Sequence, residues 1–142
     1  MRTLITLILL SFACAAQAQS SLVVNVKGLS GPEGKVLFAL FSTEEGFPKE
    51  WDKAYKQGNL SFSDGACRIV FDDLPEGTYA MMVAHDENDN GKIDTNFIGM
   101  PKEAVGISNY PKMGKPDFQK AKFTMNGQDK KTIEITVEKI FG

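Results

Sequence analysis

Asp86, Asn88 and Asn90 alternate along the chain, Gly91 follows them, and Asp94 comes three residues later. A calcium ion takes about six to eight oxygen ligands. Oxygen-bearing side chains at every second position, closed by a glycine turn, are one way for a chain to supply them. Asp86, Asn88 and Asn90 match positions one, three and five of a calcium loop, and Gly91 matches position six. Lys92 would give its backbone carbonyl at position seven, and Asp94 falls at position nine, directly or through water. The match ends there. Position twelve, which calls for a bidentate glutamate, is Phe97, and no helix pattern precedes Asp86, so the stretch is not an EF-hand. A missing ligand would have to come from elsewhere, and Glu103 and Asp73 are the nearest candidates. Calcium is the expected cofactor. With neutral amides at two ligand positions the expected affinity is low, a dissociation constant of roughly 10⁻⁴ M or poorer. The competing reading is a metal-free polar loop, because Asp and Asn also favour turns and bond their own backbone.

His85 is the single histidine. Beside Asp86 it has the makings of a general base or a metal ligand. One histidine and one buried cysteine do not make a zinc site, and no serine neighbours it in sequence. The plainer role is a strand-end histidine bonded to a loop carbonyl. No G-x-S-x-G, H-E-x-x-H, P-loop or C-x-x-C motif is present.

The segment before the first strand reads as an address. Arg2 supplies a positive start, Leu4 to Ala13 a short apolar run, and Ala16-Gln17-Ala18 an A-x-A cleavage site. Residues 1–18 are therefore expected to be a removable signal peptide, and 19–142 a single domain that is exported to the periplasm or secreted. Cys14 raises the alternative of a lipidated cysteine, although Ser11 and Phe12 do not suit a lipoprotein signal. The apolar run is too short to span a bilayer, so the mature chain is expected to have no transmembrane segment. Removing Arg2 from 16 basic residues leaves 15 against 18 acidic ones, a net −3. That balance, with scattered lysines, points to no nucleic-acid or anionic-membrane surface. Cys14 leaves with the signal, so Cys67 has no intrachain partner and the fold must rest on its core.

The elements that would carry the loop are mostly short alternating runs. Leu22, Val24 and Val26 share one face of a first strand. Lys35 to Ser42 follows, with apolar residues on both faces, as in a strand covered on both sides. Thr43 to Gly58 breaks the β pattern. Pro48, the side formed by Trp51, Ala54 and Tyr55, and Gly58 read as the start, face and stop of a short helix or helical turn lidding a sheet edge. Cys67, Ile69 and Phe71 alternate in a third strand, and Thr78 to Ala84 runs as a fourth directly into His85. From Asp86 to Phe118 no period is sustained, and such a long irregular segment is usually functional or held by something. Ala121, Phe123 and Met125 resume the alternation, Asn126-Gly127 reads as a hairpin turn, and Ile133, Ile135 and Val137 close the domain. The expected fold is all-β, an antiparallel, immunoglobulin-like sandwich with one short helical insertion and one long irregular loop.

The order of motifs resembles a bacterial family of unknown function, DUF2141. The residues that carry the resemblance are Leu74-Pro75-x-Gly77-x-Tyr79-Ala80, His85-Asp86-x-Asn88-x-Asn90-Gly91-Lys92-x-Asp94, Gly99-x-Pro101-x-Glu103-x-x-Gly106-x-Ser108-Asn109 and Ala121-x-Phe123. It covers about Leu22 to Val137. The resemblance implies an exported sandwich of the transthyretin or carboxypeptidase-regulatory type, with no established activity. In that context Gly99, Pro101 and Gly106 would form a compact turn that aims Glu103 back at the Asp86 loop, with Ser108 and Asn109 capping it.

Three function classes follow. One is a non-enzymatic binding module with a calcium-stabilised loop and a protein or glycan partner in the cell envelope, expected to be monomeric. The second is a metal-free domain that meets a partner through an exposed edge strand. The third is a small hydrolase using His85 with Asp86 or Glu103. The address itself is testable: N-terminal sequencing of protein from the producing cell should read from Gln19, and a start at a lipid-modified Cys14 would refute the A-x-A reading.

Overall fold

A computed structural model of the chain describes residues 20–110 and 115–140. The proposed signal segment lies outside the described residues. Among the described residues there are eight strands: β1 Ser21–Lys27, β2 Glu33–Phe41, β3 Lys56–Ser63, β4 Cys67–Asp72, β5 Gly77–Asp86, β6 Val105–Ile107, β7 Phe123–Met125 and β8 Lys130–Thr136. One sheet has the order β4-β1-β8, the other β3-β2-β5-β6, with β7 also pairing with β5. The fold is an essentially all-β sandwich. Its pairings are antiparallel except β1 with β8, which run parallel from Ser21↔Lys130 to Lys27↔Thr136. Among the described residues no helix is long and apolar enough to cross a membrane.

The alternation seen in the sequence becomes the core. Leu22, Val24, Val26, Cys67, Ile69 and Phe71 face inward from the first sheet and meet Val36, Leu40, Met81 and Val83 of the second. Cys67 is buried and free, and burial pushes its thiol pKa up. Such a thiol behaves as a small hydrophobe rather than a nucleophile. The second sheet is covered on its outer face too. Ala39, Phe41 and Ala80 pack there against Phe118 and Ala121, with Phe47, Trp51 and Ala54 on top. Phe47 sits edge-on to both Phe41 and Phe118, at centroid distances of 5.3 and 5.8 Å.

Several expectations need correction. The helical turn exists but covers only Trp51–Lys53, and β3 begins at Lys56. Gly58 is no helix stop. It lies inside β3 opposite Phe38, where a Cβ would stand 2.9 Å from the Phe38 ring. Pro48 precedes the turn, after a cis Phe47–Pro48 bond, rather than starting a helix. The Asn126-Gly127 turn does not make a hairpin. It hands the chain from β7, paired with β5, to β8 in the other sheet. The irregular stretch from Asp86 also contains β6, and a short helix, α1 Phe118–Ala121, follows it.

The sandwich is tied on both flanks. On one side the β3–β4 connection folds back with a Ser63↔Ala66 bridge. On the other, Val105 and Glu138 exchange both backbone hydrogen bonds, at 3.0 and 2.9 Å, and so link the end of β8 to β6. That second tie requires close approach. A Cβ on Gly106 would stand 2.6 Å from both the Ile135 Cγ2 and the Thr136 carbonyl oxygen. Gly106→Ala should therefore lower the urea unfolding midpoint, by an equivalent of about 1–3 kcal/mol, and an unchanged midpoint would show that the two sheets can part there at no cost.

Candidate functional site: the loop after β5

Ten residues of β5 deliver the chain to the loop, and its burial persists to the last of them. His85 and Asp86, at the end of the strand, are only 3% and 2% exposed. Alternation sends them to opposite faces of the sheet. His85 points between the sheets, its ring edge-on to Phe62 at 5.2 Å. Its Nδ1 lies 3.4 Å from the Ser30 hydroxyl, a partner 55 residues away that sequence spacing could not reveal.

Asp86 holds the loop shut. Its carboxylate accepts the backbone N–H of Gly91 at 2.8 Å and that of Asn90 at 3.2 Å. Charge-assisted bonds of this kind make burial of a carboxylate tolerable. They also commit Asp86, so it is not placed to act as an orienting acid for His85. Gly91, at φ +74°, and Asp89, at φ +53°, supply the left-handed conformations of the turn. Asp89 points away from the alternating set and pairs with Lys35 at 2.8 Å.

Asp94 is the second anchor. It accepts Asn88 Nδ2 at 2.6 Å and Asn90 Nδ2 at 2.8 Å. These bonds, those of Asn90 first, hold its pKa below the ordinary carboxylate value. Asn90 Oδ1 in turn accepts the Lys92 amide at 3.0 Å. Hydrogen bonds thus link Asp86, Asn88, Asn90, Lys92 and Asp94 within one loop, with Asp86 turned to backbone amides.

Glu103 completes the picture. Asp94 and Lys102 pair through Lys102 N–H to Asp94 O at 2.8 Å, and Thr95 bridges Pro101. This small hairpin places Glu103 beside Asp94. Glu87, Asn88, Asp94, Lys102 and Glu103 line one open cleft. Glu103 is 4% exposed, and its carboxylate oxygens meet no nitrogen or hydroxyl donor at hydrogen-bond geometry, while the Asp94 carboxyl lies close enough to share a proton with it. Burial first, then the charges of Asp94 and Asp86, push its pKa up, partly offset by the nearby amides of Asp94 and Glu87.

Two other expectations fail. Asp73, the alternative ligand, sits in the turn before β5. The full strand separates it from the loop, roughly 30 Å at about 3.3 Å per residue. Ser108 and Asn109 do not cap the Glu103 turn. Ser108 Oγ accepts Met81 N–H and donates to the Ala121 carbonyl, while Asn109 donates to the Lys122 carbonyl, so both brace α1 and the start of β7. Among the described residues no group of three or more His, Cys, Asp or Glu side chains is disposed to hold a metal. Asp94 and Glu103 are a pair of carboxylates, and any further oxygens must come from amides or backbone.

The buried Glu103 carboxyl makes a signed prediction. An acid whose pKa is raised by folding contributes stability below its unfolded pKa and loses it as pH rises through the folded value. Ion-free protein should therefore lose stability as pH climbs from about 4.5, the reference value of Glu103. Glu103→Gln should remove that slope and raise ion-free stability at neutral pH by about 1–3 kcal/mol. Thermal melts across pH check it, and a variant less stable than wild type at pH 7 would contradict it.

Comparison with known proteins gives one result. No curated protein and no solved structure matches the chain. One family does, described as an uncharacterized protein conserved in bacteria, over residues 24–134, a span that holds the core strands, the Asp86 loop and Glu103. The chain belongs to the DUF2141 family.

Proposed function

We propose that this protein is an exported, non-catalytic binding module whose Asp86–Glu103 region takes a calcium ion. The observation that carries the reading is Glu103, a buried carboxylate with no nitrogen or hydroxyl donor at hydrogen-bond geometry, facing a second acid, Asp94. Leaving such a group without a donor costs free energy. A divalent cation between Glu103 and Asp94 would offset that cost.

The weight shifts relative to the spacing argument. Asp94 and Glu103 are the charged ligands, whereas Asp86 shapes the loop from behind through the Asn90 and Gly91 amides. Asn88 and Asn90 end in amides, which carry an oxygen as well as the nitrogen now turned on Asp94. With the Lys92 carbonyl, these donors make a site of low charge and hard oxygens, suited to weak calcium binding. The chemistry supplied is structural: the ion would clamp the two legs of the 94–103 hairpin. The commitment of Asp86 to backbone amides and of His85 to Phe62 and Ser30 favours a binding module over a hydrolase.

A ligand that binds only the folded state raises stability by RT ln(1 + [L]/Kd), about 2.7 kcal/mol at 100 times Kd. The melting temperature should climb with millimolar calcium and fall back with chelator. Magnesium should do less, since it dehydrates reluctantly and demands tighter geometry. Asp94→Ala and Glu103→Gln should each abolish the response, and Asp89→Ala should leave it. A wild-type melt indifferent to calcium and chelator would leave the metal-free polar loop as the correct reading.

A further inference from the structure

The hairpin that carries Asp94 and Glu103 ends in a turn that presents apolar side chains to water. Phe97 is 99% exposed and Ile98 65%. The turn that displays them is firmly built. Asn96 Oδ1 accepts the N–H groups of Ile98 and Met100, both at 3.0 Å. Gly99 N–H reaches the Asn96 carbonyl at 3.0 Å, and Asn96 N–H the Met100 carbonyl at 2.9 Å. The two side chains are therefore held outward by a turn with its own hydrogen bonds, instead of folding back on the sandwich.

Two apolar side chains on a convex tip do not suit every partner. A stable protein interface buries about 800 Å² on each side, far more than one Phe and one Ile offer. A phospholipid surface asks for less: shallow burial of a few apolar side chains, aided by attraction between nearby cations and anionic headgroups. Local charge decides whether that attraction exists. Glu87 is paired with Lys139 at 3.3 Å and Asp89 with Lys35 at 2.8 Å. Asp86, Asp94 and Glu103 then stand against Lys92 and Lys102, three negative groups to two positive, a net −1. A bound calcium ion carries that to +1. The overall acidity of the chain is thereby reversed where the apolar tip is displayed.

We propose that the Phe97–Ile98 tip is a membrane-docking element that inserts at an anionic phospholipid surface when calcium occupies the cleft at the base of its hairpin. The proposal rests on the calcium reading for its charge switch and on the Asn96 turn for its shape.

Sedimentation with vesicles of phosphatidylcholine containing about a third phosphatidylglycerol tests it. The protein is used as the producing cell processes it, in millimolar calcium or in chelator. Wild type should pellet with these vesicles in calcium, far less in chelator, and far less with phosphatidylcholine alone. The Phe97→Ser, Ile98→Ser double variant should bind about 30-fold more weakly or worse. Its melting temperature and calcium response should match wild type, because both side chains lie outside the core. A Phe97→Trp variant should show a blue-shifted emission component on adding vesicles in calcium.

The failures are separable. If calcium raises the melting temperature but wild type ignores the vesicles, or the double variant binds as well as wild type, docking is refuted and the ion site stands. If calcium moves neither melt nor binding, both readings fall. If sedimentation velocity instead shows a dimer that the double variant loses, with no vesicle binding, the tip meets a second copy of the chain and the lipid proposal is refuted.

Discussion

Strand β5 is buried on both faces, and that constraint shapes the rest of the molecule. It pairs with β2 along one edge and with β6 and β7 along the other. Tyr79, Met81 and Val83 fill the space between the sheets, while Ala80 lies under Phe118 and Ala121 on the outside. A strand so enclosed must satisfy its backbone groups inside the protein, by pairing or, for the Met81 N–H, through the Ser108 hydroxyl. It also leaves no exposed surface for polar side chains until it ends. The polar residues at its far end, His85 and Asp86, are therefore still inside the protein. Asp86 draws its hydrogen bonds from the loop it introduces, and the His85 ring meets Ser30, between β1 and β2.

Two buried carboxylates near that loop have opposite circumstances. Asp86 is enclosed and bonded to backbone amides of its own turn. Glu103 is equally enclosed, with no such donor at bonding geometry. The contrast reflects how each arrived. Asp86 sits within four residues of Asn90 and can recruit local amides, as aspartate commonly does in turns. Glu103 is delivered across the hairpin and faces Asp94, another acid, whose own oxygens are occupied by Asn88 and Asn90. A neighbourhood arranged in this way is structured before any ligand arrives, apart from one group.

How much of this was legible in the sequence depends on which force set each element. Burial wrote itself into β1, β4 and the close of β8 as clean alternation, and those strands were readable. β3 was not, because Lys56, Gln57, Asn59 and Ser61 face water and the strand is held by pairing with β2 rather than by its own pattern. β6 is three residues long, too short for any period. In the site, local chemistry was visible, since Asp and Asn at alternate positions mark a turn. Glu103 was one of two nearby acidic candidates, with Asp73, until the family resemblance set it in a turn facing the loop, and Ser30 beside His85 required the fold. The Asn96-Phe97-Ile98-Gly99 stretch did hold a signal, with Asn first and Gly fourth as in a common turn. Two apolar residues at its centre, where polar ones are usual, were the part that irregular spacing concealed.

The parallel pairing of β1 with β8 has a consequence for the order of assembly. Val24 lies beside Ile133, and Val26 beside Ile135. The centre of the second sheet, β3-β2-β5, comes from strands close in the chain, whereas the first sheet joins the earliest described strand to the latest. Pairings of such long range come late and slow the folding of β proteins. A chain emerging N-terminus first carries β1 without its β8 edge until the final strand appears. Val23, Val24 and their neighbours then form a β-rich segment with one flank unpaired. For this topology the interval between the first strand and the last is when the chain is most open to pairing with the wrong partner.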